Sequence, residues 1–274
     1  MFKRIYIEIT NICNLACEFC PGTARPKKFM SVDEFSTIAS RLRPYSDYIY
    51  LHVMGEPLLH PQLEGILSCA ADLGYKINLT TNGTLLPQKS DLLLSARNLR
   101  KVSVSLHSFE GNHGSGLYPY LDGVWDFCRR AECIVALRLW NEGGANALNG
   151  QIMDYLSRVT GLDVPSLPYD ANGRRLGPRL YLESADKFTW PSEDAKEQPV
   201  SFCHGLTGQI AVLCDGTVVP CCLDGEGCMK LGNILSETPE DILSSPRARA
   251  IAEGFAAGHP TEEMCRRCDY AARF

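Results

Sequence analysis

Cys13-Asn14-Leu15-Ala16-Cys17-Glu18-Phe19-Cys20 is the stretch that decides the fold, and it follows an apolar run, Ile5–Ile9, that is typical of a first β-strand. Its i, i+4, i+7 spacing would also place three buried thiols on one face of a helix. The asparagines of this stretch and the following Pro21-Gly22 instead favour a loop at a strand end. A structural zinc site needs a fourth ligand, and no further His or Cys occurs before His52. Three thiolates suit a [4Fe–4S] cluster that leaves one iron to a non-protein ligand.

Cysteine content is the abnormal feature of the composition, because 13 of the 274 residues are cysteine. Glu8 interrupts the N-terminal apolar run too early for a secretory signal, and no stretch reaches the roughly 18 apolar residues of a membrane span. We therefore expect a cytoplasmic protein with no membrane partner, in which reduced thiols indicate metal or cluster ligation. The formal net charge of −5 argues against a generic nucleic-acid surface.

Short apolar runs alternate with amphipathic segments along the first two thirds of the chain. The strand-like runs are Ile5–Ile9, Tyr48–Val53, Lys76–Thr80, Lys101–Leu106, Cys133–Trp140 and Leu180–Glu183. Between them, helix signals recur, such as the capping box Ser31-Val32-Asp33-Glu34. This alternation predicts a parallel α/β sheet, open or closed into a barrel, with its chemistry at the C-terminal ends of the strands.

The pattern changes after a polar stretch, Pro191–Pro199, that is typical of a linker. Gln209–Cys214 and Thr217–Cys222 flank Asp215-Gly216, which is a strong hairpin signal. A region of about 75 residues with many cysteines and little helix is expected to need metal ligation to fold. We therefore divide the chain into a core of residues 1–190 and a C-terminal domain of residues 200–274. The C-terminal domain contains Cys203, Cys214, Cys221, Cys222, Cys228, Cys265 and Cys268.

The spacing of Cys13, Cys17 and Cys20, with the aromatic Phe19 before the last cysteine, resembles the signature of the radical S-adenosylmethionine (SAM) superfamily. The resemblance implies that these three cysteines hold a [4Fe–4S] cluster whose open iron is chelated by SAM. It also implies an α/β fold, a partial parallel (β/α)6 barrel of radical SAM type.

A second motif, Met54-Gly55-Glu56-Pro57, closes the second strand-like run and is similar to the family's Gly-Gly-Glu motif. Met54 stands where the family usually has its first glycine, which leaves Gly55 and Glu56 as the matching positions. The resemblance implies that Gly55 and Glu56 bind SAM, the carboxylate accepting hydrogen bonds from the ammonium group. Ser105 on the fourth strand and Arg138 on the fifth are further candidates for the SAM ribose or carboxylate.

The C-terminal region resembles the SPASM/twitch extension of radical SAM enzymes through its Gly-x4-Cys element, Gly216–Cys221, and its terminal Cys-x2-Cys. A full SPASM domain continues with more cysteines, so the resemblance implies a single auxiliary [4Fe–4S] cluster. Four thiolates also suit structural zinc, which remains the alternative. The expected ligands are Cys203, Cys221, Cys265 and Cys268, with Cys214, Cys222 and Cys228 as competitors.

The resemblance implies an enzyme that cleaves SAM reductively to a 5′-deoxyadenosyl radical, which abstracts hydrogen from a peptide or small-molecule substrate. Its partners would be SAM, that substrate and a low-potential electron donor of the flavodoxin or ferredoxin type. The alternative is a non-enzymatic iron–sulfur electron carrier or a zinc-stabilised α/β binding protein. His107 and His113 are candidate acid/base groups, although a structural role is the commoner one for a histidine.

Overall fold

The structure is a computed structural model, and it describes residues 1–110, 116–192 and 194–273. The described residues form the helices α1 (Val32–Leu42), α2 (Leu63–Asp72), α3 (Leu86–Ser95), α4 (Leu117–Arg130), α5 (Asn149–Thr160), α6 (Pro239–Leu243), α7 (Pro246–Ala256) and α8 (Glu263–Arg266). They form the strands β1 (Arg4–Ile7), β2 (Tyr48–Tyr50), β3 (Lys76–Thr81), β4 (Leu99–Ser105), β5 (Ile134–Glu142), β6 (Tyr169–Asp170), β7 (Gly173–Arg175), β8 (Leu180–Asp186), β9 (Gln209–Val212), β10 (Thr217–Val219) and β11 (Gly232–Asn233).

Local sequence signals start the helices as predicted. The Ser31 hydroxyl accepts a hydrogen bond from the amide of Glu34, whose carboxylate accepts one from the amide of Ser31, which completes the capping box of α1. Thr238 caps α6 in the same way by accepting from the amide of Asp241. The C-terminal region nevertheless contains more helix than its sequence pattern predicted, since α7 alone has 11 residues.

Contacts within the chain divide it into two compact units, of which the first contains residues 1–13, 20–77 and 188–274. In this unit β1 pairs in parallel with β2 on one side and with β9 on the other. The predicted hairpin of β9 and β10 is present, and β11 extends it antiparallel. The last quarter of the chain therefore builds part of the same sheet as the first strand.

The second unit contains residues 14–19 and 78–187. In it β4, β5 and β8 pair in parallel, and β8, β7 and β6 continue antiparallel. The sequence predicted only a strand over Leu180–Glu183 here and missed the β6–β7 hairpin. This hairpin needs Gly173, which has φ +99°, because a Cβ there would lie 2.4 Å from the carbonyl oxygen of Leu182.

The predicted fold class is confirmed, because the strands form a mostly parallel α/β sheet that does not close, as in a partial barrel. The first strand is buried on both faces, with Ile5 and Ile7 inaccessible on one and Tyr6 only 8% exposed on the other, which is typical of a parallel sheet covered by helices. No helix among residues 1–110, 116–192 and 194–273 is long and apolar enough to cross a membrane.

Candidate functional site

The three N-terminal cysteines lie in an irregular loop and not on a helix. Residues 11–28 contain neither helix nor strand, and Cys13 and Cys20 are exposed while Cys17 is half-buried. None of the chain's thirteen cysteines, all of them in the described residues, forms a disulfide. The alternative of three core thiols on one helix face is therefore wrong for this loop.

The base of this loop is closed by two polar side chains that follow β1. The Thr10 hydroxyl donates to the carbonyl oxygen of Lys28 at 2.9 Å. The Asn11 amide donates to the carbonyl oxygen of Pro26 and accepts from the backbone amide of Lys28, both at 2.9 Å. A backbone bridge between Thr10 and Phe29 completes the closure. These contacts tie the two ends of the loop together.

Within the second unit, the middle of the cysteine segment packs against the end of β4. The Cys17 thiol lies 3.6 Å from the carbonyl oxygen of Ser108, and the Phe19 ring centre is 4.9 Å from that of His107. Burial lowers the pKa of His107, although a hydrogen bond to the carbonyl oxygen of Arg138 opposes the shift, so the imidazole is neutral near pH 7. His113, the other candidate acid/base group, lies outside the described residues.

The turn Met54–Pro57, predicted to bind SAM and called the SAM turn below, contacts the residues that precede Cys13. Gly55 has φ +77°, and a Cβ on it would lie 2.5 Å from the carbonyl oxygen of Thr10, so only glycine fits. The amide of Glu56 donates to the carbonyl oxygen of Ile12 at 2.8 Å. The Glu56 carboxylate is buried and accepts from the amide of Leu58 at 3.0 Å, which caps a short 3₁₀ turn. The motif and the loop therefore share one backbone framework.

Ser105 and Arg138 lie opposite each other on the paired strands β4 and β5. The Arg138 guanidinium donates to the Glu183 carboxylate at 2.9 Å and lies 4.4 Å from the ring centre of Trp140. Burial raises the pKa of Glu183, but Arg138 and Lys101 outweigh it, so the pKa is lowered and the carboxylate is ionised. Arg138 is thus held by an ion pair and an aromatic ring.

Four C-terminal cysteines of the first unit share one effect, a raised thiol pKa. Burial raises the pKa of each thiol, and the thiol of Cys203 raises those of the other three further. The pKa of Cys265 rises to about 12. These four residues are Cys203, Cys221, Cys265 and Cys268, and the thiol of Cys222 interacts with those of Cys203 and Cys221 in the same way.

Thiol donors suit an iron–sulfur cluster by their chemistry, and they also suit zinc. Across the part of the chain that the structure describes, no three His, Cys, Asp or Glu side chains converge closely enough to surround one metal ion. Each thiolate of a [4Fe–4S] site binds a different iron, so its ligands stand further apart than those of one ion.

The competing cysteines have other neighbours. The Cys214 thiol lies 3.7 Å from the guanidinium of Arg25, and burial followed by the charge of Glu8 raises its pKa to about 12. Cys222 hydrogen-bonds with Tyr6 and packs beside the apolar cluster that contains Tyr6. Cys228 is exposed.

Sequence reasoning missed one buried ion pair beside these groups. Arg25 donates to both oxygens of Glu8, at 2.7 and 2.8 Å, and the Glu8 side chain is completely inaccessible. The same carboxylate accepts from the amides of Met54 and Cys214, each at 3.0 Å. Arg25 also donates to the carbonyl oxygen of Gly225 at 2.7 Å. The available signal was Glu8 itself, because a charge within a buried strand requires a partner.

Comparison with known proteins connects this geometry to two protein families. Residues 7–137 match the model of the radical SAM superfamily, and residues 203–269 match the model of the SPASM iron–sulfur cluster-binding domain. The two matches cover the cysteine loop with the Gly55-Glu56 turn, and the four C-terminal thiols, respectively.

Curated relatives match at moderate identity. The chain is 24% identical over 291 residues to the antilisterial bacteriocin subtilosin biosynthesis protein AlbA of Bacillus subtilis, covering 96% of this chain and 64% of AlbA. It is 37% identical over 119 residues to a probable GTP 3′,8-cyclase of Aeropyrum pernix, covering 39% of this chain and 32% of that protein. The chain thus spans between one third and two thirds of the length of these relatives.

Solved structures share the fold. BtrN in complex with AdoMet and 2-DOIA superposes with a TM-score of 0.66 at 18% identity, covering 98% of this chain and 93% of BtrN. The enzyme anSMEcpe with bound AdoMet gives 0.63 at 13% identity, covering 90% and 81%. Streptococcus suis SuiB bound to its precursor peptide SuiA gives 0.55 at 14% identity, covering 98% and 71%. At these identities the likeness establishes the fold.

Proposed function

Because the chain belongs to the radical SAM superfamily and carries a SPASM iron–sulfur domain, we propose that it cleaves SAM reductively and abstracts hydrogen from an organic substrate. The family's cofactors are a [4Fe–4S] cluster bound with SAM and auxiliary iron–sulfur clusters. When bound, the first cluster supplies the electron that splits SAM into methionine and a 5′-deoxyadenosyl radical. The observation that carries the proposal is the Gly55-Glu56 turn seated against the residues before Cys13.

Cys13, Cys17 and Cys20 would hold the first cluster. The exposure of Cys13 and Cys20 supports this assignment, because a non-protein ligand has to reach the fourth iron. At the neighbouring turn, the close approach of Gly55 to the backbone of Thr10 and Asn11 brings the turn beside the start of the cysteine loop. The Glu56 carboxylate, which accepts from the amide of Leu58, would also accept hydrogen bonds from the ammonium of SAM.

Ser105 and Arg138 would orient the rest of SAM, its ribose and carboxylate. Ser105 is the last residue of β4, at the C-terminal end where cofactors bind in sheets of this kind, and Arg138 is its partner in register on β5. The ion pair with Glu183 and the contact with Trp140 would restrict the Arg138 guanidinium to one orientation, which lowers the entropic cost of binding a carboxylate.

Cys203, Cys221, Cys265 and Cys268 would bind one auxiliary [4Fe–4S] cluster. The electrostatic influence of Cys203 on the other three thiols supports this set, although Cys222 interacts with Cys203 and Cys221 as well and stays a competitor, as do Cys214 and Cys228. We also propose residues 1–190 and 200–274 as the radical SAM core and auxiliary domain. A cytoplasmic location follows, since cluster assembly needs reduced thiols.

The substrate is a peptide or a small molecule, and the relatives support both classes. A peptide is favoured by AlbA, which takes part in bacteriocin biosynthesis and matches nearly the whole chain, and by SuiB with its precursor peptide. A small molecule is favoured by BtrN, whose structure holds 2-DOIA and has the higher TM-score. A low-potential flavodoxin or ferredoxin would supply the electron.

The test is incubation of anaerobically reconstituted protein with SAM and dithionite. We expect 5′-deoxyadenosine and methionine in equal amounts, measured by liquid chromatography. A sample with its full iron content that binds SAM but forms no 5′-deoxyadenosine would favour the electron carrier. Zinc in the place of the auxiliary iron would contradict the second cluster and leave the first assignment standing.

A further inference from the structure

We propose that Glu8 and Arg25 are positioning residues for SAM binding, and that residues 224–226 of the C-terminal region hold them in place. Their ion pair fixes the segment after Cys20 to the turn that contains Gly55. The inference rests on the proposed function only in naming SAM as the ligand.

A single carboxylate connects three segments of the chain. Glu8 binds Arg25 of the cysteine loop through both oxygens. One of these oxygens also accepts the amide of Met54, the residue that enters the SAM turn, and the other accepts the amide of Cys214 in the C-terminal hairpin. These four hydrogen bonds use the acceptor capacity of a carboxylate, about four positions. Since Glu8 is completely buried, loss of Arg25 would leave an uncompensated charge beneath the turn.

The guanidinium makes the corresponding connection to the C-terminal region. Its Nε donates to the carbonyl oxygen of Gly225 at 2.7 Å, and the Glu226 carboxylate accepts from the amide of Ala24 at 3.0 Å. A Cβ at Gly225 would lie 2.8 Å from the sulfur of Met54, so this glycine lets the two segments close on each other. The loop after Cys20 is therefore held from the side of the C-terminal region.

Residues 224–226, which hold the ion pair, are themselves fixed by hydrogen bonds. Asp224 is completely buried, and its two carboxylate oxygens accept the amides of Cys228 and Met229, each at 2.8 Å. Asp224 follows the proposed ligand Cys221 by three residues. Hydrogen bonds therefore connect the proposed ligand Cys221 with the SAM turn. Asp224 bonds to Cys221, Arg25 bonds to Gly225, and Glu8 bonds to both Arg25 and Met54.

Geometry and charge can be separated by substitution. Arg25→Lys keeps the positive charge, but its one ammonium nitrogen replaces two separate nitrogens, the terminal one that reaches both Glu8 oxygens and the Nε that reaches Gly225. Glu8→Gln keeps the shape and removes the charge. We expect both variants to bind SAM about 10- to 100-fold more weakly, the range found when outer partners of a cofactor site are lost.

A matched control lies in the same loop. Lys28 pairs with Glu34 at the surface, where each side chain is about one third exposed, so Lys28→Gln removes a cation three residues from Arg25 without touching the buried pair. We expect its SAM affinity to equal that of the wild type. Glu226→Ala removes only the contact of an exposed side chain with Ala24, and it should weaken SAM binding less than the changes at the buried pair.

The experiment combines equilibrium SAM binding with hydrogen exchange on reconstituted protein before SAM is added. The amides of Met54 and Cys214 should exchange faster in Glu8→Gln and Arg25→Lys than in the wild type and in Lys28→Gln, at equal iron content. Faster exchange with unchanged SAM affinity would overturn the proposal, because the pair would then be merely structural, and so would wild-type behaviour in both measurements. If Glu8→Gln and Arg25→Lys do not fold, Glu226→Ala tests the proposal by the same two measurements. Wild-type SAM affinity and wild-type amide exchange in this variant would then overturn it. Wild-type protein that binds no SAM would contradict the proposed function, and the exchange comparison would still test whether the pair holds the turn.

Discussion

The N-terminal loop and the C-terminal group differ in how far their most extreme cysteines are exposed, while Cys17, Cys203 and Cys221 are all half-buried. Cys13 and Cys20 are exposed on an irregular loop, whereas Cys265 and Cys268 are less than a tenth exposed. Burial raises the pKa of the C-terminal thiols, so a cluster can assemble there only by displacing protons that the folded chain retains. If both groups bind clusters as proposed, the exposed loop leaves access for an outside ligand, and burial of Cys265 and Cys268 restricts it.

Removing the loop cysteines should give the largest effect and isolate the buried site. In the triple variant Cys13→Ala/Cys17→Ala/Cys20→Ala, iron should fall from about eight atoms to about four per chain, because one of two [4Fe–4S] clusters is lost. Formation of 5′-deoxyadenosine should stop. The measurements are a colorimetric iron assay and chromatography of the reaction with SAM and dithionite. Undiminished SAM cleavage would place the reactive cluster at the C-terminal group.

Removing Cys265 and Cys268 should disrupt the C-terminal region and leave the N-terminal cysteine loop intact. Cys265→Ser/Cys268→Ser should lose the auxiliary iron and leave two buried thiols without the metal that links them. We expect proteolysis within residues 188–274 to become much faster, and SAM cleavage to continue at a reduced rate, since the loop keeps its own ligands. Substrate turnover should fail. Native protease resistance with a full iron content would move the auxiliary ligands to Cys214, Cys222 or Cys228.

A change at the SAM turn should affect only the open site. Glu56→Ala removes a charge-assisted hydrogen bond worth about 1.5–3 kcal/mol, which corresponds to roughly 10- to 150-fold in SAM affinity. Both clusters should still assemble. Glu64→Ala, which removes an exposed carboxylate of the first turn of α2, is the matched control. An unaltered SAM dissociation constant in Glu56→Ala would show that Glu56 only caps its 3₁₀ turn and does not bind SAM.

The smallest expected effect separates two neighbouring cysteines of the C-terminal region. Cys221 faces the other thiols, and Cys222 hydrogen-bonds with Tyr6. Cys222→Ser should therefore keep the auxiliary iron and lose about 1 kcal/mol of unfolding free energy, measured in urea. Cys221→Ser should lose that iron. Iron loss in Cys222→Ser together with retention in Cys221→Ser would reverse the assignment.

Signals between near neighbours in sequence predicted the fold well. The capping box at Ser31 and the hairpin at Asp215-Gly216 both form as expected, because each depends on contacts within a few residues. The alternation of strands and helices correctly predicted a parallel sheet. The run Tyr48–Val53, however, gives only the short strand β2, since the chain leaves the sheet before Met54 to meet Glu8.

Contacts between distant residues could not be predicted from the pattern. Alternation indicates that strands are parallel but not which ones are neighbours, so the pairing of β9 with β1 was not expected. Likewise, Glu8 in a buried strand indicates that its charge needs a partner. The sequence does not show which of the following cations, Arg25, Lys27 or Lys28, is that partner. The choice of Arg25 depends on the path of the loop, which Thr10 and Asn11 close.

The pairing of β9 with β1 also sets the order in which a newly made chain can complete its sheet. Glu8 meets the amide of Cys214, which is 206 residues further along. At about 5–20 residues per second, synthesis of that intervening stretch takes roughly 10–40 s. During this interval β1 presents an unpaired edge to other nascent chains. Ribosome-bound fragments that end before Gln209 should therefore associate through β1, and a chaperone that shields this edge should improve the yield of the full-length protein.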